Sequence, residues 1–130
     1  MSSAPQTGER LPEDDVFGLL SARRRRAVLR VLDEAGGEAT FGHITNEIAT
    51  AEHGSDGDAS QRKAVYVSLY QTHVPKLREA GVVEYDERTK TVTLTGPWRQ
   101  VLAYLRFDPT ARKSGLLSRV FRRRSGERAE

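Results

Sequence analysis

The sequence predicts an α+β fold, mostly α, built as one domain with tails. Three observations carry that expectation. Apolar residues recur at spacings of three and four along most of the chain, which is the signature of helices with one buried face. One stretch, Val82 to Leu94, instead reads as strand, polar turn, strand. And 130 residues leave no room for a second core.

Residues 1–11 are polar and aperiodic and read as a disordered lead-in. Pro12, followed by Glu13, Asp14 and Asp15, marks a helix start, because proline suits the first turn and carboxylates favour the positive end of the helix dipole. Val16, Phe17, Leu19 and Leu20 would dock this short helix. Ser21 can cap a second helix, Ala22 to Ala35, with Val28, Val31, Leu32 and Ala35 as its buried stripe and Gly36-Gly37 as its stop. A short extended piece, Glu38 to Phe41, leads into a third helix capped by Thr40, with Phe41, Ile44, Ile48 and Ala49 as apolar positions. The glycine- and aspartate-rich segment Glu52 to Ser60 reads as an exposed loop. A long helical pattern then runs from Ser60 to Ala80 and stops at Gly81. Pro75 lies inside it, which predicts a kink or break near Thr72 to Val74. After the two strands, Pro97 opens a last helix whose stripe is Trp98, Val101, Leu102 and Leu105. The predicted boundaries are a domain over 12–106, with a terminal helix over 97–106, and a basic tail over 107–130.

The composition narrows the function classes. Mean hydropathy is −0.60, and no apolar run approaches the ~18 residues of a membrane span. The N-terminal residues lack the apolar core of a signal peptide. The absence of cysteine excludes disulfides and thiolate chemistry and fits a reducing cytoplasm. The net charge of +3 is uneven: residues 1–96 carry 12 Lys/Arg against 15 Asp/Glu, whereas residues 97–130 carry 9 against 3. The body is therefore mildly acidic and the C-terminal quarter basic, so any case for nucleic acid rests on where the charges cluster.

The predicted order is helix, short strand, helix, long helix, β-hairpin, helix, which is the order of a winged helix-turn-helix. Particular residues add a resemblance. The stretch Leu19-Leu-Ser-Ala-Arg-Arg-Arg-Arg-Ala-Val-Leu-Arg-Val-Leu32 is similar to the first core helix of many archaeal winged-helix regulators. His73-Val-Pro-Lys-Leu-Arg-Glu-Ala-Gly-Val-Val-Glu-Tyr85 is similar to the H-L-x-x-L-x-x-A-G-L-V signature of the ArsR/MarR-like superfamily, at the junction of recognition helix and wing. With Tyr66-Val-Ser-Leu-Tyr-Gln-Thr72 before it, the chain resembles a haloarchaeal winged-helix family over residues 12–106. The mildly acidic body agrees with that origin, and the basic tail departs from it. The resemblance implies a cytoplasmic, DNA-binding transcriptional regulator.

A helix that enters the major groove needs a core face and a polar face. Taking Tyr70 as the centre of the buried side and stepping about 100° per residue, Val67, Val74, Leu77 and Tyr66 fall beside it. Ser68, Thr72 and Gln61 fall opposite, with Gln71 at the flank. Ser68, Gln71 and Thr72 are short polar side chains suited to base edges, while Arg62, Lys63 and Lys76 can reach phosphates. Arg88 and Lys90 at the hairpin tip would supply a backbone or minor-groove contact, although Glu84, Asp86 and Glu87 weaken the field there and a solvated turn is the alternative. The run Arg23 to Arg26 reads foremost as a solvated helix start, partly paired with Asp14, Asp15 or Glu34, and otherwise as a contact to flanking DNA backbone. The tail cluster Arg119 and Arg122 to Arg124 fits counterion-release binding to DNA, an acidic partner or anionic lipid, or plain solubility. Related domains pair through a terminal helix, so the resemblance implies a homodimer through Trp98, Val101, Leu102 and Leu105. The other reading packs that stripe on its own domain.

Catalytic signatures are missing. His43, His53 and His73 lack ligand spacing, so no metal or cofactor is expected, and a site from His53, Asp56 and Asp58 is the weak exception. His73 reads as a packed or hydrogen-bonded residue. There is no P-loop, dinucleotide fingerprint or nucleophile elbow, and the carboxylates fall in turns and helix starts. The expected function is a non-enzymatic DNA binder whose partner is double-stranded DNA. A protein-interaction adaptor with a basic tail is the alternative, favoured if acidic side chains cap the long helix and hairpin.

Overall fold

In the computed structural model, which describes residues 10–55 and 57–107, the chain is α+β and mostly helical, with one small antiparallel sheet. The order is α1 (Glu13–Leu19), α2 (Arg23–Glu34), β1 (Glu38–Thr40), α3 (Phe41–His53), α4 (Ala59–Ser68), a π turn (Leu69–His73), α5 (Val74–Glu79), β2 (Val83–Asp86), β3 (Thr91–Leu94) and α6 (Trp98–Phe107). The sheet order is β1-β3-β2, with Ala39 opposite Val92 and Tyr85 opposite the same residue on the other side. Among the described residues, no helix is long and apolar enough to cross a membrane. Residues 108–130, with Arg119 and Arg122 to Arg124, lie outside the described residues, as does Asp56 of the acidic loop.

Local chemistry explains most boundaries. The Pro12 carbonyl accepts from the Asp15 and Val16 amides to open α1. Thr40 accepts from the His43 amide and starts α3. Asp58 and Gln61 form a reciprocal capping box at α4, satisfying two donors that a helix start leaves without partners. The expected cap at Ser21 is not made: its hydroxyl donates to the Gly18 carbonyl at 2.8 Å, and Ala22 takes the cap position of α2. Leu11, expected to fall in the lead-in, is instead buried, and its backbone is held by Gln100. The Gln100 Oε1 accepts from the Leu11 amide at 2.7 Å and Nε2 donates to the Leu11 carbonyl at 2.9 Å. The buried faces of α1 and α2 shift slightly too: Phe17 is exposed against the edge of Tyr104, Leu29 replaces Ala35, and Val31 is only partly buried.

The long helical run differs most from expectation. Val65, Leu69, Val74 and Leu77 are buried, whereas Tyr66, Val67 and Tyr70 are 36, 37 and 41% exposed. Tyr70 is therefore not the centre of the buried face. The cause is the π turn, in which the Val74 amide donates to the Leu69 carbonyl. One extra residue in that turn shifts the stripe, so that Val74 and Leu77 continue back to Leu69 and Val65. Pro75 is the local reason. It has no N–H, and its ring would clash with the carbonyl four residues back, a conflict that a widened turn relieves. The expected kink near Thr72 to Val74 thus takes the form of a π turn within a continuing helix.

The last helix is used inside the chain. Val101, Leu102 and Leu105 are at most 4% exposed, and Trp98 is half-buried against the same core, with the Arg99 guanidinium 4.6 Å from its ring centroid. The dimerisation stripe Trp98, Val101, Leu102, Leu105 accordingly packs on its own domain, and the dimer expectation loses the apolar face it rested on.

Candidate nucleic-acid interface

The side chains singled out in the sequence fall into two groups. Arg62 and Lys63 are exposed on the first turns of α4. They face α3 across a cleft of about 350 Å³ lined by Gly42, Thr45, Asn46, Ala59, Arg62, Lys63 and Tyr66. Arg88 and Lys90 are exposed at the β2–β3 tip. The tip is a tight turn in which Asp86 Oδ1 accepts from the Arg88 amide at 2.9 Å and the Thr89 amide at 3.4 Å. Lys90 adopts a left-handed φ of 57°, and its carbonyl accepts from the Phe41 amide at 2.7 Å. That last bond ties the hairpin to the start of α3.

The π turn follows α4 in the chain. Gln71 and Thr72 are exposed there, Lys76 is exposed on α5, and Ser68 is half-buried, so Ser68 does not stand opposite the core as expected. Gln61, also expected on the outer face, is engaged in the capping box. Tyr70 spans from helix to hairpin, its hydroxyl donating to Glu87 Oε2 at 3.2 Å. The Glu87 charge, then that hydrogen bond, raises the Tyr70 hydroxyl above its ordinary pKa, while Lys90 acts in the opposite sense. Tyr66 and Tyr70 stack in parallel with centroids 6.1 Å apart, and both lean on Phe41, which in turn meets Tyr85 edge-on. This aromatic ledge was hidden in the sequence, where Phe41, Tyr66 and Tyr70 read as core and Tyr85 as part of a strand. The outward face of the sheet is acidic, with Glu38, Glu84 and Asp86 around one shallow hollow that extends to Thr89 in the hairpin turn.

The arginine run has a structural role that neither sequence reading anticipated. Arg24 makes a two-pronged pair with Glu52 at 2.7 and 2.6 Å, joining α2 to the end of α3. The hydrogen bond to Arg24 holds the Glu52 carboxyl below its ordinary pKa. Arg25 and Arg26 turn back onto α1: Arg25 donates to the Leu19 and Gly18 carbonyls and Arg26 to the Leu20 carbonyl. They satisfy acceptors that the end of a helix leaves open. The proposed partners Asp14, Asp15 and Glu34 are not used in these contacts. His73, in the π turn, sits with Nδ1 3.3 Å from the Arg25 guanidinium, and burial, then the neighbouring Arg25 and Arg24 charges, lower its pKa. In the histidine–acid loop, His53 lies 3.7 Å from Glu52 and Asp58 is engaged as a cap.

A family model, a domain of unknown function designated DUF7344, matches residues 17–93. The chain belongs to that family. The matched segment of the DUF7344 domain runs from the end of α1 into β3, so it contains both the α3–α4 cleft and the hairpin tip, and α6 lies beyond it. No curated protein and no solved structure matches the chain.

Three residues that frame the cleft, Gly42, Thr45 and Asn46, escaped the sequence reading. Their signal was their spacing of three and four along α3, which puts them on one helix face beside the apolar positions Ile44 and Ile48.

Proposed function

We propose that this DUF7344 domain is a winged helix-turn-helix that binds double-stranded DNA, placing α4 and the π turn in the major groove with the β2–β3 hairpin as the wing. One observation carries the reading: Arg62 and Lys63 on α4, Arg88 and Lys90 at the hairpin tip, and Gln71 and Thr72 in the π turn are all exposed, and the hairpin tip is tied to the start of α3, whose Gly42 lines the cleft with Arg62 and Lys63. The cations suit phosphates, and the amide and hydroxyl suit base edges. Ser68 and Lys76 stand at the margins of this footprint. In the domain's biology this is a transcriptional regulator that acts by occupying promoter DNA, in line with the resemblance to archaeal regulators. α2, β1, α3 and α4, followed by the hairpin, occur in the order such domains use.

A second reading has its own observation. Tyr66, Val67 and Tyr70 form an exposed apolar strip, and Glu87 from the hairpin caps Tyr70. A protein-binding adaptor would use such a surface, since aromatic residues dominate protein interfaces.

Selection from a randomised duplex pool, followed by fluorescence anisotropy over a salt series, separates the two. The DNA reading expects an enriched sequence whose binding is lost in Gln71→Ala/Thr72→Ala and retained after truncation following Phe107. Salt-steep, non-selective binding that disappears only with the truncation would assign affinity to the tail. No binding would favour the adaptor.

A further inference from the structure

We propose that Tyr66 and Val67 are specificity determinants that pack against the C5-methyl group of thymine in the major groove. The inference deepens the DNA-binding reading and rests on it for the placement of α4. It adds an apolar contact to the polar ones of Gln71 and Thr72.

The fold leaves an apolar surface uncovered here. Among the described residues, five large hydrophobic side chains are 36% exposed or more, and three of them, Tyr66, Val67 and Tyr70, fall within a span of five residues. Single exposed apolar residues are ordinary, but a group of them on one helical run marks a contact surface. This surface is also held in place. The Tyr66 ring packs on Phe41, with centroids 5.0 Å apart, and stacks parallel to Tyr70 at 6.1 Å. Tyr70 is in turn anchored through its hydroxyl to Glu87 of the hairpin. Val67 is β-branched, with one strongly preferred rotamer in a helix. Both side chains therefore lose little freedom when an apolar partner arrives.

Charge decides the kind of partner. Residues 59–78 contain Arg62, Lys63, Lys76 and Arg78 and no Asp or Glu, within a body that is net acidic over its first 96 residues. Arg62 stands four positions before Tyr66 and Lys63 four before Val67, so each apolar side chain has a cation as its neighbour on the same side of α4. Arg62, Lys63 and Tyr66 line one cleft. An apolar protein surface laid on this ground would bury those charges at a cost. Duplex DNA instead offers phosphates to the cations and, on the groove floor, one apolar group to the ring and the branched methyls. That group is the C5-methyl of thymine. The Val67 side chain has no polar atom, so a methyl is the base feature it can select. Tyr70 takes the supporting part, because its hydroxyl is committed to a carboxylate that DNA would repel. Gln71, exposed in the following turn, has the side-chain amide that pairs with adenine, so both contacts favour A·T pairs.

The test uses the full chain and the duplex enriched by selection. Each thymine is replaced singly by deoxyuridine, which removes the C5-methyl and leaves the base-pair hydrogen bonds and the O4 acceptor. Affinity by anisotropy should fall about fourfold at one or two thymines, the value of one buried methyl-sized group. The salt slope should hold, because no phosphate contact is lost. Val67→Ala and Tyr66→Ala should each weaken binding to the parent duplex and abolish the deoxyuridine effect at one position. Alanine suits a helix better than valine, so Val67→Ala keeps the fold. The deoxyuridine series needs no variant and decides the matter even if Tyr66→Ala, which strips a ring from Phe41, does not fold. An enriched sequence without thymine, or full affinity for every deoxyuridine duplex, overturns the methyl contact and leaves the DNA reading standing. A deoxyuridine effect undiminished in the variants overturns the assignment to Tyr66 and Val67. Binding with no enriched sequence overturns the inference while affinity for DNA remains, and no binding to any duplex overturns both.

Discussion

The Val74 amide donates to the Leu69 carbonyl across five residues, where an α-helix would span four. That one bond decides which side of the long helical run meets solvent. Upstream of it the core takes Val65 and Leu69; downstream it takes Val74 and Leu77. An uninterrupted helix with the downstream phase would have buried Tyr70 and Val67.

The π turn can be removed by deletion. Deleting Gln71 together with Pro75→Ala should join the two buried pairs through an ordinary α turn and keep both in phase. Stability in urea is expected within about 1 kcal/mol of the parent. Deleting Gln71 alone should cost about 3 kcal/mol, because the proline ring would then oppose a carbonyl four residues back. Equal losses in the two variants would show that the proline does not set the turn.

Arg25 is a buried cation, 7% exposed, that donates to the carbonyls of Leu19 and Gly18 at 2.8 and 3.0 Å. Burial pulls its pKa below the ordinary arginine value. Arg25→Met preserves most of the apolar stem and strips the Leu19 carbonyl of its side-chain donor, while the Gly18 carbonyl keeps the Ser21 hydroxyl. A loss of about 2–3 kcal/mol is expected by chemical denaturation, with Arg25→Lys recovering part of it. A loss well under 1 kcal/mol would mean that water takes over the capping.

Acid should weaken the fold in two stages. His73 has a folded pKa below its ordinary 6.5. The unfolded chain therefore takes up the proton first, and stability present above 6.5 declines as pH falls below it. Glu52 has a folded pKa below its ordinary 4.5 through its bond to Arg24, so its contribution, present above 4.5, is lost as pH falls further. Urea midpoints measured against pH should show both declines. His73→Gln should flatten the first and leave the second, while Glu52→Gln should do the reverse.

Leu102 is 1% exposed within the core. Leu102→Ala should cost about 2–5 kcal/mol, as truncations in packed cores do, with the sedimentation mass unchanged. A variant of normal stability and altered mass would return α6 to an intermolecular role.

The element order was legible because capping and turn chemistry is local: Pro12, Thr40, the Gly36-Gly37 pair and Gly81 mark boundaries without reference to the rest of the chain. Hairpin residues 82–94 were legible for the same reason. What failed was phase. Periodicity extrapolated from Val74 and Leu77 assumes a constant turn, and Pro75 breaks that assumption upstream of itself. Side chains with two plausible partners were equally opaque. Arg24 chose Glu52, 28 residues away, and Arg25 chose backbone carbonyls, which have no sequence signature. The cations of the candidate site could be named from the sequence. Their partners across the cleft could not, because Gly42, Thr45 and Asn46 become a wall only when α3 and α4 pack.

The Gln100 side chain imitates a strand when it holds both the amide and the carbonyl of Leu11, 89 positions earlier. Tyr104 repeats the connection by donating to Glu13 at 3.1 Å. The described chain is thus nearly a ring, with its two ends leaving from one place. A circular permutant that joins those ends and opens between α3 and α4 should keep the sheet and the helix packing intact. In such a thread the order of synthesis is separable from the shape, and a tether fixed at either end holds the domain at the same point.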